Sequence, residues 1–253
     1  MLTEERHQYI LTTLQKNGKV LASELSDQLD VSLDTIRRDL RKLAEAGLLQ
    51  RVHGGALPRS PAVAVYTARQ QQSRSAKNSI AQAAVSLIQE GQVIILDGGT
   101  TMLQVAQLLP FQLKATLITH SPPIATALAD YPNLEVIVIG GRLYKESRVA
   151  VGAATVSAIG HIRADLGLLG VCSLHPEAGI STTHLEEAHV KQAIIASSAE
   201  VAALASIEKL GTATTYTVGP LNELTHLVTE ATVPEEVLAP YRALGLTIVC
   251  HKP

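Results

Sequence analysis

Apolar residues recur along the first fifty positions at a spacing of three and four. Ile10, Leu11 and Leu14 share one side of a segment that stops at Gly18, which predicts a first helix over 4–17. Leu25 and Leu29 mark a second. The tight link Asp30-Val31-Ser32 leads into a third, SLDTIRRDLRKLAEAG, whose Ile36, Leu40 and Leu43 fall on one face with Leu33 near it, so that these four dock into a small core. The period then changes: 48–52 reads as a short strand and Gly54-Gly55 as the turn of a hairpin. Three short helices followed by a hairpin predict a winged helix-turn-helix over residues 1–57.

Residues 58–75 are rich in Pro, Ser, Arg and Gln without a clean apolar period and read as a connector. From 76 to 253 the pattern alternates. Ile80, Ala83, Ala84, Leu87 and Ile88 form a helical face, and 93–96, 115–119, 134–139, 166–171, 201–205 and 226–229 are candidate strands with helical patterns between most of them. Such alternation predicts a larger, doubly wound, mainly parallel α/β domain.

Composition narrows the class. The 253 residues are 46% hydrophobic and 17% charged, with one Phe and no Trp, so the core must be built from Leu, Ile, Val and Ala. A formal net charge of -2 excludes a globally basic nucleic-acid binder but leaves room for a local patch. Two cysteines make no disulfide framework, the first residues lack the apolar stretch of a signal peptide, and no apolar run approaches a membrane span; a cytoplasmic protein is expected. In HLEEAH the two histidines lie five apart, not the four that puts metal ligands on one helix face, so no metal site is expected.

The third helix carries the first candidate chemistry. Ser32 is placed to cap it, and Asp34 in its first turn suits the helix dipole. Asp34 and Arg38 point away from the apolar face, Thr35, Arg41 and Lys42 flank them, and Arg37 sits at the side. A solvated amphipathic helix has the same pattern. The preceding helix and turn, and a following hairpin bearing Arg51 and His53, instead suit insertion of this helix into a DNA major groove, with Thr35 and Arg38 at base edges and the other cations at phosphates. The stretch VSLDTIRRDLRKLAEAGLLQRVHGGA resembles the N-terminal signature of the DeoR family of bacterial transcriptional regulators. It departs from that signature at Asp30, where a small turn residue is common, and at Leu21, where a capping hydroxyl is common.

In the second half the informative loops follow predicted strands: DGGTT at 97–101, THS at 119–121, GGR at 140–142 and GVCS at 170–173. Loops at the carboxyl ends of a doubly wound sheet converge on one crevice. Gly98 and Gly99 let backbone N–H groups approach an anion, and Thr100 and Thr101 add hydroxyls at a helix start, although an ordinary strand-to-helix corner has the same composition. The region 77–230 is similar to the family's C-terminal effector domain, which has a fold like ribose-5-phosphate isomerase and responds to phosphorylated sugars. The resemblance places Asp97, Gly98, Gly99, Thr100, Thr101, Gly140, Gly141, Gly170, Lys191 and Lys209 at the effector site, with Gly152 and Asp165 also at recurrent positions, and Ser121 is assigned to the site from its place in the THS loop. His120, Cys172-Ser173 and the Ser206–Lys209 stretch depart from it. Asp97 is read as an acceptor for sugar hydroxyls, or as a tie for its own turn. Lys209 is read as a ligand contact, or as a surface lysine. For Lys191 an i, i+4 pair with Glu187 competes with a ligand role, and Cys172 reads as core packing.

Three functions remain open. The first is a repressor of carbohydrate-metabolism genes, without a cofactor, that binds double-stranded operator DNA as a dimer or tetramer and is released by a phosphorylated sugar. The second is a sugar-phosphate isomerase with a DNA-binding head, for which Asp97, Asp165 and Glu187 are available carboxylates. The third is a winged helix used for protein contact.

Overall fold

The computed structural model describes residues 1–61 and 65–251. Its head contains α1 (Thr3–Asn17), β1 (Val20–Leu21), α2 (Ala22–Leu29), α3 (Leu33–Glu45), β2 (Gln50–Val52) and β3 (Gly55–Leu57). Ile10, Leu14, Leu25, Ile36, Leu40, Leu43 and Leu49 form its buried core. Leu33 does not join them; at the first turn of α3 it is 36% exposed and lines an open groove with Ala22 and Ser23. The hairpin is part of a three-stranded sheet of order β1-β3-β2, in which Val20 pairs with Ala56. That extra strand explains Gly55: a Cβ there would collide with the Val20 carbonyl. A second feature absent from the apolar pattern is the buried Asp39. Arg6 Nε donates to its Oδ2 at 2.5 Å and His7 Nε2 lies 3.0 Å from Oδ1, fastening α1 to α3. Burial pushes this carboxyl up, but Arg6 and His7 outweigh it and hold it below its ordinary value.

Two helices, α4 (Tyr66–Gln71) and α5 (Arg74–Val85), begin inside the stretch read as a connector. The larger part continues with β4 (Val93–Leu96), α6 (Thr100–Leu108), β5 (Ala115–Thr119), α7 (Pro122–Leu128), β6 (Leu134–Val138), β7 (Arg142–Tyr144), β8 (Val149–Val151) and α8 (Ala153–Gly160). There follow β9 (Ala164–Gly170), β10 (Ser173–His175), β11 (Gly179–Thr182), α9 (Leu185–Ser197), β12 (Ser198–Leu204), β13 (Tyr216–Gly219), β14 (His226–Thr229), α10 (Glu235–Ala243) and β15 (Thr247–Cys250).

Seven strands form one parallel sheet of order β15-β14-β12-β9-β4-β5-β6. Successive residues of β4 serve opposite faces: Ile94 and Leu96 join the layer under α5, α6 and α7, whereas Ile95 joins the layer that includes α8 and α9. The order has a functional consequence. From β4 the chain winds outward through β5 and β6, and from β9 it winds the other way through β12, β14 and β15. The loops after β4 and β9 therefore part at the reversal point and leave a crevice between them. The β7–β8 hairpin and the antiparallel sheet β10-β11-β13 lie outside the alternating pattern and were not expected.

Candidate functional sites: a helix face and an anion pocket

Ser32 accepts a hydrogen bond from the Thr35 amide at 3.2 Å and so caps α3, as expected. Asp30 ends α2 in the left-handed conformation, φ 48°, which Asp tolerates better than most residues and which accounts for its departure from the small residue common there. Leu21 gives no side-chain cap to α2, but the wing carbonyl of Gly54 accepts from the Ala22 amide at 2.8 Å. Asp34, Arg37, Arg38, Arg41, Lys42, Arg51 and His53 are all exposed. Among the described residues none of these five cations meets a carboxylate, so the face carries uncompensated positive charge. Arg37, Arg51 and His53 line a groove between α3 and the wing. Arg41 instead faces a cleft shared with Arg59 and Thr215 of the larger part.

In the crevice, β4 ends at Asp97, which is 1% exposed. Its Oδ1 accepts from the Gly98 amide at 2.7 Å and lies 2.9 Å from His120 Nε2; its Oδ2 accepts from the Gly170 amide at 2.9 Å and from Lys191 Nζ. All of these are protein contacts, so the carboxylate binds the two crevice loops together from beneath. Burial pushes it up, yet Lys191 and His120 pull it down to about 2. His120 Nδ1 reaches the Ala150 carbonyl at 2.7 Å. His120 is thereby held between the Ala150 carbonyl and the Asp97 carboxylate. Lys191 also donates to Gly170 O at 2.7 Å, so its partner is Asp97 rather than Glu187.

Above this buried triad lies a cavity with about 700 Å³ of space between its atoms, its open mouth included. Gly98, Gly99, Thr100, Thr101, Gly170, Lys191 and Lys209 all line it. Gly99 precedes α6 at φ 120°, a conformation L side chains avoid, and presents the first amides of the helix to the cavity. The structure does not bring Ser121, Gly140 or Gly141 there. Ser121 is buried at the start of α7, its hydroxyl 3.5 Å from Arg148 O, and Gly140 O accepts from Thr155 Oγ1 at 2.9 Å against α8.

Residues that periodicity did not mark complete the wall: Arg69, Gln72, Lys77, Ser147, Glu187, Ser206 and Glu208. Arg69 donates to Glu146 O at 3.3 Å and Ser147 Oγ at 3.2 Å, while its buried Nε has no partner. The Tyr66 ring sits under Arg148 at 4.7 Å and Arg69 at 6.0 Å, holding α4 to the tip of the β7–β8 hairpin. Lys77 donates to the carbonyls of Arg69 and Gln72, the latter at 2.5 Å. Burial, reinforced by Lys209, lowers its ammonium to about 8. Burial likewise lowers Lys209, whose ammonium has no hydrogen-bond partner among the described residues. A helix N-terminus and underused cations in one cavity are a donor set that would suit an anion. Among the described residues no group of three or more His, Cys, Asp or Glu is placed to hold a metal, and no helix is long and apolar enough to cross a membrane.

Residues 6–61 match the DeoR-like helix-turn-helix domain, and residues 72–231 match the DeoR C terminal sensor domain. The chain belongs to the DeoR family of transcriptional regulators. It is 33% identical to the HTH-type transcriptional regulator GlpR of Haloferax volcanii, over 98% of both chains. It is 34% identical to the HTH-type transcriptional repressor GlcR of Bacillus subtilis, over 91% of this chain and 89% of that one. It is also 34% identical to the glycerol-3-phosphate regulon repressor of Haemophilus influenzae, over 92% and 91%. Among solved structures, ribose 5-phosphate isomerase A of Methanocaldococcus jannaschii aligns with a TM-score of 0.40 at 15% identity, over 54% of each chain. The three named relatives are regulators and do not support the isomerase alternative. The DeoR-family chain described here thus joins a DNA-binding head to a sensor domain, and Asp97, with both oxygens occupied, is not a free base in that domain.

Proposed function

We propose that this DeoR-family regulator represses carbohydrate-metabolism genes and leaves its operator when a phosphorylated sugar enters the crevice. The observation that carries the proposal is the meeting of the α6 N-terminus with Arg69, Lys77 and Lys209 in one cavity. Phosphate satisfies all of them at once, since its oxygens accept from amides, guanidinium and ammonium together. A phosphate monoester is also what a relative named for the glycerol-3-phosphate regulon implies.

The route to the head is short. Strand β3 of the wing ends at Leu57, and Pro58 O accepts from the Ala213 amide at 3.2 Å. Arg59 bridges Ala213 and lies against Gly47 just beyond α3. Ser60, buried, donates to the Cys172 carbonyl at 2.5 Å, and Pro61 and Cys172 line the cavity. Ligand that moves the Gly170–Cys172 loop therefore acts on the wing and on the end of the recognition helix within four residues of chain. Coupling requires that ligand favour one arrangement of the head over another. Two heads in a homo-oligomer read paired half-sites, as helix-turn-helix modules do.

The test is a gel shift of the full chain on its operator with sugar phosphates and the corresponding free sugars. Release by a phosphate ester and not by its free sugar supports the proposal. Equal release by both, or by neither across a broad panel, refutes it.

A further inference from the structure

The cavity is not uniformly cationic, and its carboxylates differ. Glu208 accepts from the Ser73 hydroxyl at 3.3 Å. Glu187, half-buried on α9, lines the same cavity and has no hydrogen bond or ion pair among the described residues. Its neighbour one turn along, Lys191, is already taken by Asp97 and Gly170 O. A half-buried carboxylate needs donors, and the protein supplies none. We propose that Glu187 is the specificity-determining residue of the pocket: it accepts hydrogen bonds from the hydroxyls of a neutral sugar chain and rejects ligands that carry a second anion. This rests on the proposal that the cavity holds a phosphorylated sugar.

Two further observations support it. Lys77 feels Lys209, Glu208 and Arg69, and Lys209 feels Glu208, Arg69 and Lys191, whereas the charge of Glu187 is felt by Lys191 and Tyr144. Glu187 is thus set apart from Lys77 and is joined to Lys209 only by way of Lys191. The total also fits one phosphate. The charged side chains that line the cavity are Arg69, Lys77, Lys191 and Lys209 against Glu187 and Glu208, an excess of two formal positive charges, which one phosphate dianion balances. A carboxylate or second phosphate placed beside Glu187 would meet like-charge repulsion there.

The experiment is calorimetry on the full chain with three matched pairs: glucose 6-phosphate and 6-phosphogluconate, fructose 6-phosphate and fructose 1,6-bisphosphate, glycerol 3-phosphate and 3-phosphoglycerate. In every pair that binds, the singly anionic member should bind at least about tenfold more tightly to the wild type, and Glu187→Gln should shrink that ratio to about threefold or less. Glu187→Ala provides a second reading of the ratio, and a thermal melt confirms that each variant is folded. Equal or tighter binding of the doubly anionic member by the wild type, or a ratio unchanged in both variants, overturns the assignment. Inorganic phosphate separates the two levels. If it binds and the ratios fail, only the role of Glu187 falls; if neither phosphate nor any pair member binds, the phosphate pocket falls with it.

Discussion

Replacing Asp97 with Asn keeps the shape of the side chain and removes its charge. Four donors converge on the carboxylate, from Gly98, His120, Gly170 and Lys191. An amide offers one oxygen and one NH2 group, so two of the four donors must then face another donor, and the Lys191 ammonium is left buried without its counter-charge. Breaking a buried pair in this way costs about 3–5 kcal/mol. In a chain of this size each kcal/mol moves the melting temperature by roughly 2–4 °C, so calorimetric scans should show a fall of about 6–20 °C at pH 7. Acid gives an independent measure. A carboxylate held near 2, against 3.8 for the ordinary group, contributes stability that is fully present above about pH 4 and lost as pH falls through 2, roughly 2 kcal/mol in all. The wild type should lose that increment between pH 4 and 2, and Asp97→Asn should lack it. A variant melting within 2 °C of the wild type, or an acid limb identical in both proteins, would refute the claim that Asp97 ties the loops together.

Ser60→Ala removes the bond from the connector to the Cys172 carbonyl; effector affinity measured by calorimetry should change little while the effector-dependent drop in operator affinity shrinks about five- to thirtyfold, the equivalent of 1–2 kcal/mol, and an unchanged drop would rule out this route. Arg38→Ala should cost roughly 1–3 kcal/mol of discrimination between operator and random DNA in anisotropy titrations, whereas Arg41→Ala should weaken both alike and lower the salt slope by about 1; equal effects of the two would place the reading face wrongly. Effector affinity should fall as pH rises through about 8, where Lys77 gives up its proton and its attraction for an anion, and Lys77→Gln should flatten that limb; a flat wild-type profile from pH 7 to 9 would exclude Lys77 from binding.

Much of the fold was legible because burial imposes a period. The three head helices and six of the seven strands of the large sheet follow from apolar spacing alone; β15 was missed because its residues are only half-buried at an edge. The wing's third strand is two residues long, too short to carry any period. Of the site, the loop after β4 could be read because Gly-Gly frees the backbone to approach an anion and Thr-Thr adds hydroxyls at a helix start. Arg69 and Lys77 could not: they lie in a polar stretch that looks like a linker, and only the folding of α4 under the β7–β8 hairpin brings them to the cavity. The role of Asp97 was ambiguous for a related reason. A carboxylate at a strand end serves a ligand or a loop equally well until its neighbours across the sheet, 73 and 94 positions away, are known. Lys191 shows the limit of local pairing, since the adjacent Glu187 at i-4 was available and Asp97 won.

The proposed function has an anion held at the α6 N-terminus and Lys209 control the head. It is tested most directly by titrating operator-bound wild type and Lys209→Met with the phosphate ester that releases the wild type, following DNA anisotropy. Lys209→Met should occupy the operator at wild-type protein concentrations and need at least about tenfold more ester for release, because a charge-assisted contact worth roughly 1.5–3 kcal/mol is gone. Identical release curves for the two proteins would contradict the account.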